Sequence, residues 1–162
     1  MKNKRILFLT QAAMIAALYV VFTLIASALG LASMQVQVRF SEALTILPFF
    51  TPAAIPGLFV GCLLSNILAG GALIDIIFGS LATLAAAVGT YLLRRNKWLA
   101  PVPPIVLNTL IVPFVLKAAY GIGPIWLSFI TVCAGEVISA GILGMLLLFM
   151  LGKYKRQIFA QA

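Results

Sequence analysis

The chain has 162 residues, of which 64% are hydrophobic and 9% are charged. With a mean hydropathy of +1.19, this composition excludes a soluble domain and is typical of an integral membrane protein. The net charge of +8 does not indicate nucleic acid binding, because the basic residues are not spread along one face as a phosphate-binding surface requires.

Six apolar stretches follow one another along the chain. They are residues 6–30, 39–51, 53–70, 73–94, 99–120 and 124–151. Because a transmembrane helix takes about 20 apolar residues, we predict an all-α membrane protein with six transmembrane helices. The stretches leave no room for a soluble catalytic domain, so residues 1–162 are expected to form a single transmembrane domain.

Most basic residues fall into three clusters between or beyond these stretches. The clusters are Lys2, Lys4 and Arg5; Arg94, Arg95 and Lys97; and Lys153, Lys155 and Arg156. Six crossings put all three on one side, which the positive-inside rule assigns to the cytoplasm, together with both termini. A cleavable signal ending near Ala26-Ser27-Ala28 is the alternative. It is disfavoured because cleavage would leave an odd number of crossings and divide the remaining basic clusters.

The second stretch is short for a span. Its 13 residues make about 20 Å of helix, and Pro48, Pro52 and Pro56 interrupt it and its successor. Four spans plus a re-entrant hairpin would fit the charge pattern equally well, although we favour six short or tilted helices. Before this stretch, residues 31–40 include a strand-like alternation of apolar and polar residues. We expect this segment to form an external loop that closes over a site.

Five charged residues lie in or at the ends of the spans. They are Arg39, Glu42, Asp75, Lys117 and Glu136. Glu136 comes twelve residues after Pro124, about 18 Å into the last span, where a charge costs about 2.5–3.5 kcal/mol. We therefore expect Glu136 to line a polar cavity, with a structural partner, Lys117 or Arg39, as the alternative.

Simpler roles exist for the other polar residues. Arg39 and Lys117 can snorkel to the outer headgroups, and Glu42 and Asp75 can stabilise helix N-termini. Two amides, Asn66 and Asn108, lie at the same level. Asn108, in mid-span, requires a hydrogen bond inside the bundle or to a ligand. The five charges sum to one surplus negative charge, which favours a solute with a cationic group unless Glu136 is protonated.

Four segments carry patterns that are typical of one transporter family. The run TQAAMIAAL, residues 10–18, is similar to the first-helix signature of the S components of energy-coupling factor (ECF) transporters. The block from Val36 to Cys62, the segment 70–79 and residues 103–108 resemble the QueT group, the queuosine-precursor S components, and Arg39 to Cys62 is the most specific part. The resemblance spans nearly the whole chain.

The resemblance implies a six-helix S component of the bacterial cell membrane. Such a subunit captures a solute from outside, docks on a T subunit with two ATPases and hydrolyses nothing itself. Ala13 and Ala17 match the positions that contact the T subunit. The implied solute is a 7-deazaguanine, in its aminomethyl or nitrile form, with Glu136 at its N–H edge. Candidates for the other contacts are Asn108 and Lys117 for the carbonyl edge and Glu42 or Asp75 for an aminomethyl cation.

Three alternatives belong to other classes or solutes. An integral-membrane enzyme is disfavoured because the sequence has no histidine, no carboxylate pair at helical spacing and no metal-ligand cluster, and we expect no metal or cofactor. A proton-coupled secondary carrier, with Glu136 as the proton site, is a closer rival. An S component for another vitamin is the third alternative.

Overall fold

The structure, a computed structural model, describes residues 2–31, 38–121 and 123–159. The described residues form helices joined by short turns. These are α1 (Lys2–Ala28), a 310 helix (Phe40–Phe49), α2 (Ala54–Leu68), α3 (Leu73–Leu92), α4 (Val102–Tyr120), α5 (Ile125–Glu136) and α6 (Gly144–Ile158). A π-helical segment, Val137–Leu143, joins α5 to α6 without a break.

The predicted all-helical fold is confirmed. Four helical stretches, Lys4–Ala28, Leu73–Leu92, Lys97–Tyr120 and Ile125–Lys155, are long and apolar enough to cross a membrane, so the chain is a multi-pass membrane protein. Phe40–Phe49 and Ala54–Leu68 are apolar but shorter. Crossing by these two segments, and hence the count of six spans, stays a prediction.

The 310 helix lies at the centre of the bundle. Every residue from Ser41 to Pro48 is buried, and the helix contacts α1, α2, α3, the π segment and α6. With a rise of about 2 Å per residue, its 10 residues extend roughly 20 Å through the interior. Of the expected closing loop, residues 32–37 lie outside the described residues.

Small residues let α1 and α2 approach closely. A Cβ added at Gly57 would lie 2.7 Å from the backbone oxygen of Ala12, and one added at Gly61 would lie 2.8 Å from the Cβ of Tyr19. Ala16 also packs against Gly61. The G-x-x-x-G pattern of α2 therefore serves internal packing, as such patterns commonly do in membranes.

Substitution of Gly61 tests this close approach. Gly61→Ala should lower the free energy of unfolding by about 1–3 kcal/mol, because the added methyl group forces α1 and α2 apart. Thermal unfolding in detergent measures the change. Gly152→Ala is the matched control, since a Cβ at this α6 position meets nothing within 4 Å. Equal melting temperatures for the two variants would contradict the packing.

Candidate functional site

Four helices bring a chain of hydrogen bonds into the bundle interior. The Tyr19 hydroxyl of α1 donates to Oε1 of Glu42 at 2.6 Å. Nδ2 of Asn108, from α4, donates to Oε2 of Glu42 at 3.4 Å and to Oε1 of Glu136, at the end of α5, at 3.0 Å. All four side chains are buried. One amide group therefore bridges two carboxylates in the apolar interior. We call Tyr19, Glu42, Asn108 and Glu136 the carboxylate network.

The two carboxylates of the network differ in how their oxygens are satisfied. Both oxygens of Glu42 accept a hydrogen bond. Oε2 of Glu136 is buried and has no hydrogen-bond partner among the described residues. The whole residue is only 8% exposed, so solvent does not replace the missing donor. A buried acceptor without a donor is costly. An N–H group of a bound molecule that donates to Oε2 of Glu136 would therefore remove this cost.

The π segment connects Glu136 to the base of the predicted loop. Ser139, three residues after Glu136, accepts a hydrogen bond from the backbone N–H of Arg39 at 3.1 Å. The Arg39 guanidinium is within electrostatic range of Asp75, Glu42 and Glu136. π-helical segments occur frequently at functional sites, and this one holds Arg39 beside the carboxylate network.

A second group of polar side chains adjoins this network through Cys62. The Cys62 sulfur accepts hydrogen bonds from Thr83 at 3.3 Å and from Asn66 at 3.6 Å. Asp75 accepts a hydrogen bond from the Tyr120 hydroxyl at 3.2 Å. A Cβ at Gly79 would lie 3.2 Å from Oδ1 of Asp75 and 3.4 Å from Nδ2 of Asn66, so the missing side chain keeps the space between these two groups open.

The structure brings most of the predicted site residues together. Arg39, Glu42, Asn108 and Glu136 form one cluster, and Asn66 and Asp75 flank Gly79 beside it. Among the described residues, Glu136 accepts a hydrogen bond from Asn108, and the Arg39 guanidinium lies within electrostatic range of it.

Lys117 differs from these residues because it is exposed and joins none of these hydrogen bonds within the described part of the chain. It follows Asn108 by nine residues, which is two and a half helical turns and therefore the opposite face of α4. Ala13 and Ala17 are exposed on α1.

Sequence reasoning missed Tyr19 and Ser139. Tyr19 is 1% exposed and follows Ala12 and Ala16 along the inner face of α1. A tyrosine in the middle of an apolar span is a usable signal, because its hydroxyl needs a partner when it is buried. Ser139 carries no comparable signal, since a serine inside a helix commonly bonds to its own backbone.

Comparisons with known proteins agree on one group. The sequence model of a family described as QueT transporter matches residues 9–153. The queuosine precursor transporter QueT of Lactococcus lactis subsp. cremoris (strain MG1363) is 33% identical over 98 residues, which cover 60% of this chain and 57% of that protein. The match thus spans little more than half the length of that relative. Comparison with solved structures finds no match.

Removal of the Tyr19 hydroxyl tests the carboxylate network. Tyr19→Phe should lower the free energy of unfolding by about 1–3 kcal/mol, because Oε1 of Glu42 loses its donor while it stays buried. Thermal unfolding in detergent provides the measurement. Tyr91→Phe serves as the control, because the Tyr91 ring packs under the Arg94 guanidinium and keeps that contact. A Tyr19→Phe protein as stable as the Tyr91→Phe protein would show that the hydrogen bond contributes nothing.

Proposed function

The chain belongs to the QueT transporter family, and from this premise we propose that it is the substrate-binding membrane subunit, or S component, of an ECF-type importer for a queuosine precursor. The single observation that carries the proposal is that Oε2 of Glu136, in the carboxylate network, is buried without a hydrogen-bond partner among the described residues. The name of the Lactococcus lactis relative, a queuosine precursor transporter, supports this choice of solute.

A 7-deazaguanine matches the polarity of the site. Its guanine-like edge presents neighbouring N–H groups, and these donate hydrogen bonds to Oε2 of Glu136 in this proposal. Both hydrogens of the Asn108 amide are engaged by carboxylates, and Lys117 is exposed. We therefore assign the carbonyl of the base to Arg39, whose cationic group is in electrostatic range of both glutamates.

The charge of the site favours the aminomethyl form of the precursor. Three carboxylates, those of Glu42, Asp75 and Glu136, surround the Arg39 guanidinium. With every group ionised, two negative charges are unbalanced among these four residues. A cationic substituent reduces this imbalance, whereas a neutral nitrile does not. Asp75, beside the space at Gly79, is the group we assign to the cation.

The energy for import comes, in this proposal, from a T subunit and two ATPases. Ala13 and Ala17 are exposed one turn apart on α1, on a different face from Ala12 and Ala16, which pack on α2. Small exposed residues at this spacing allow close approach of a partner helix. The basic clusters favour six crossings with both termini in the cytoplasm, which puts this surface near the ATPase side.

A proton-coupled secondary carrier is the second candidate. It is favoured by the pairing of Glu42 and Glu136 through one amide, because two buried carboxylates of this kind can share a proton. The two functions differ in their energy source. Uptake that stops when the ATPase subunits are inactivated supports the S component, whereas uptake that stops only when the proton gradient collapses supports the carrier.

Neutralisation of Glu136 tests solute recognition. Glu136→Gln should weaken the binding of aminomethyl-7-deazaguanine about 10- to 100-fold. The substitution replaces one carboxylate oxygen, an acceptor, by an amide NH2 group, a donor, and it removes the negative charge. Isothermal titration calorimetry in detergent measures the affinity. Ser128→Ala, which removes a buried hydroxyl two turns earlier on α5, is the control. Equal affinities of the two variants, or tighter binding of thiamine or riboflavin by the unaltered chain, would refute the proposed solute.

Bulky residues on the exposed face of α1 test partner docking. Ala13→Trp combined with Ala17→Trp should abolish assembly with the T subunit while leaving calorimetric solute binding unchanged. Copurification of the subunits measures assembly. Val21→Trp with Ile25→Trp has the same spacing, also on exposed positions of α1, and should assemble normally. Normal assembly of the alanine double variant would rule out this docking surface.

A further inference from the structure

A tyrosine hydroxyl joins the end of α4 to the start of α3. Tyr120 is the last residue of α4. Its oxygen lies 3.1 Å from the backbone nitrogen of Ala72 and 3.2 Å from Oδ2 of Asp75. Ala72 directly precedes α3, and Asp75 lies in the first turn of that helix. One hydroxyl group therefore contacts both the main chain and a carboxylate at the start of α3.

The chemistry of the three groups fixes the direction of both hydrogen bonds. A backbone N–H can only donate, so the Tyr120 oxygen accepts from Ala72. The single O–H of the tyrosine then remains for Asp75, and an ionised carboxylate can only accept. The main chain of α3 thus orients the hydroxyl, and the hydroxyl in turn holds Oδ2 of Asp75.

The other oxygen of Asp75 is directed toward α2. A Cβ added at Gly79 would lie 3.2 Å from Oδ1 of Asp75 and 3.4 Å from Nδ2 of Asn66, a residue of α2. Asp75 is only 7% exposed, whereas Tyr120 is 45% exposed. The hydroxyl of a more exposed residue thus holds Oδ2, while Oδ1 is directed toward the polar group of the neighbouring helix.

The orientation of the Asp75 carboxylate depends on this one donor. Among the described residues, the Tyr120 hydroxyl is the only group that donates a hydrogen bond to Asp75. An aspartate side chain has two rotatable bonds, and the second of them has a broad range of allowed angles. Without the hydroxyl, the hydrogen bonds of the described part of the chain therefore leave Oδ1 of Asp75 free to turn away from α2.

We propose that Tyr120 is a positioning residue that sets the preference for a cationic solute, because its hydroxyl holds Asp75 with Oδ1 toward the substituent of the bound base. The inference rests on the proposed function, in which Asp75 binds the aminomethyl cation. Tyr120 does not contact the solute itself and acts through Asp75. A neutral nitrile gains little from a carboxylate held in this way, so the effect is confined to the aminomethyl form.

Calorimetry with the full chain and two solutes, the aminomethyl and the nitrile form of 7-deazaguanine, tests this role. Tyr120→Phe should weaken the binding of the aminomethyl form about tenfold and that of the nitrile form less than about twofold. Tyr154→Phe, which removes the hydroxyl of an exposed tyrosine on α6, is the matched control and should change neither affinity. Equal losses for the two solutes in Tyr120→Phe, or no loss for either, would overturn the proposal.

A double variant shows whether Tyr120 acts through Asp75. Asp75→Asn alone should weaken the binding of the aminomethyl form, and adding Tyr120→Phe to it should cause no further loss, since the two groups act as one unit. Independent losses that add in the double variant would contradict the positioning role and indicate general packing of the Tyr120 ring.

Ala72→Pro provides a second variant, which decides the question if Tyr120→Phe fails to fold. Ala72 has φ −64° and ψ 148°, angles that proline adopts, so the substitution removes the N–H that orients the hydroxyl. It should weaken the binding of the aminomethyl form about threefold and leave the nitrile form unchanged. Failure of the unaltered chain to bind either form would refute the proposed function together with this inference. Binding of both forms, with the same ratio of affinities in every variant, would refute this inference alone.

Discussion

Two carboxylates in a membrane bundle require hydrogen-bond donors from the protein, because lipid supplies none. Here one amide, Asn108, donates to both Glu42 and Glu136, and this requirement fixes α4 between the 310 helix and α5. The Tyr19 hydroxyl donates to the other oxygen of Glu42, so both oxygens of that carboxylate accept a hydrogen bond. Tyr19 also lies where α1 packs closely on α2, since a Cβ added at Gly61 would be 2.8 Å from the Cβ of Tyr19. The small-residue packing of the fold and the polarity of its interior thus depend on each other.

The two glutamates of the network, Glu42 and Glu136, have different roles, although the sequence presents both as charged residues in apolar spans. Glu42 has both oxygens occupied by protein donors, so it anchors the arrangement. Glu136 has one oxygen that accepts a hydrogen bond from Asn108 and one that is buried without a hydrogen-bond partner among the described residues. Under the proposed function, Glu136 contacts the solute, whereas Glu42 and Tyr19 act by holding Asn108 and Glu136 in place.

Hydropathy predicted the helices well because a backbone in lipid must form its hydrogen bonds within each helix. The rarity of charge in the spans likewise led to Glu42 and Glu136, and the cost of an unpaired amide in mid-span led to Asn108. Hydropathy does not tell a residue that faces lipid from one that faces another helix, so the burial of Ser41 to Pro48 in the 310 helix was not predicted. For Lys117, the nine-residue separation from Asn108 already indicates opposite faces of one helix.

Helix α1 takes part in two different surfaces, and its geometry links them. Ala12, Ala16 and Tyr19 face α2 and the network, whereas Ala13 and Ala17 form the exposed face proposed for docking. Contacts near 3 Å at Gly57 and Gly61 leave α1 no room to move toward α2. If a partner docked on Ala13 and Ala17 tilts α1, the Tyr19 hydroxyl keeps its hydrogen bond only when Glu42 moves with it. Because that hydroxyl bonds to Oε1 of Glu42 and α1 also packs on the 310 helix that carries Glu42, a partner that shifts α1 also acts on the carboxylate network.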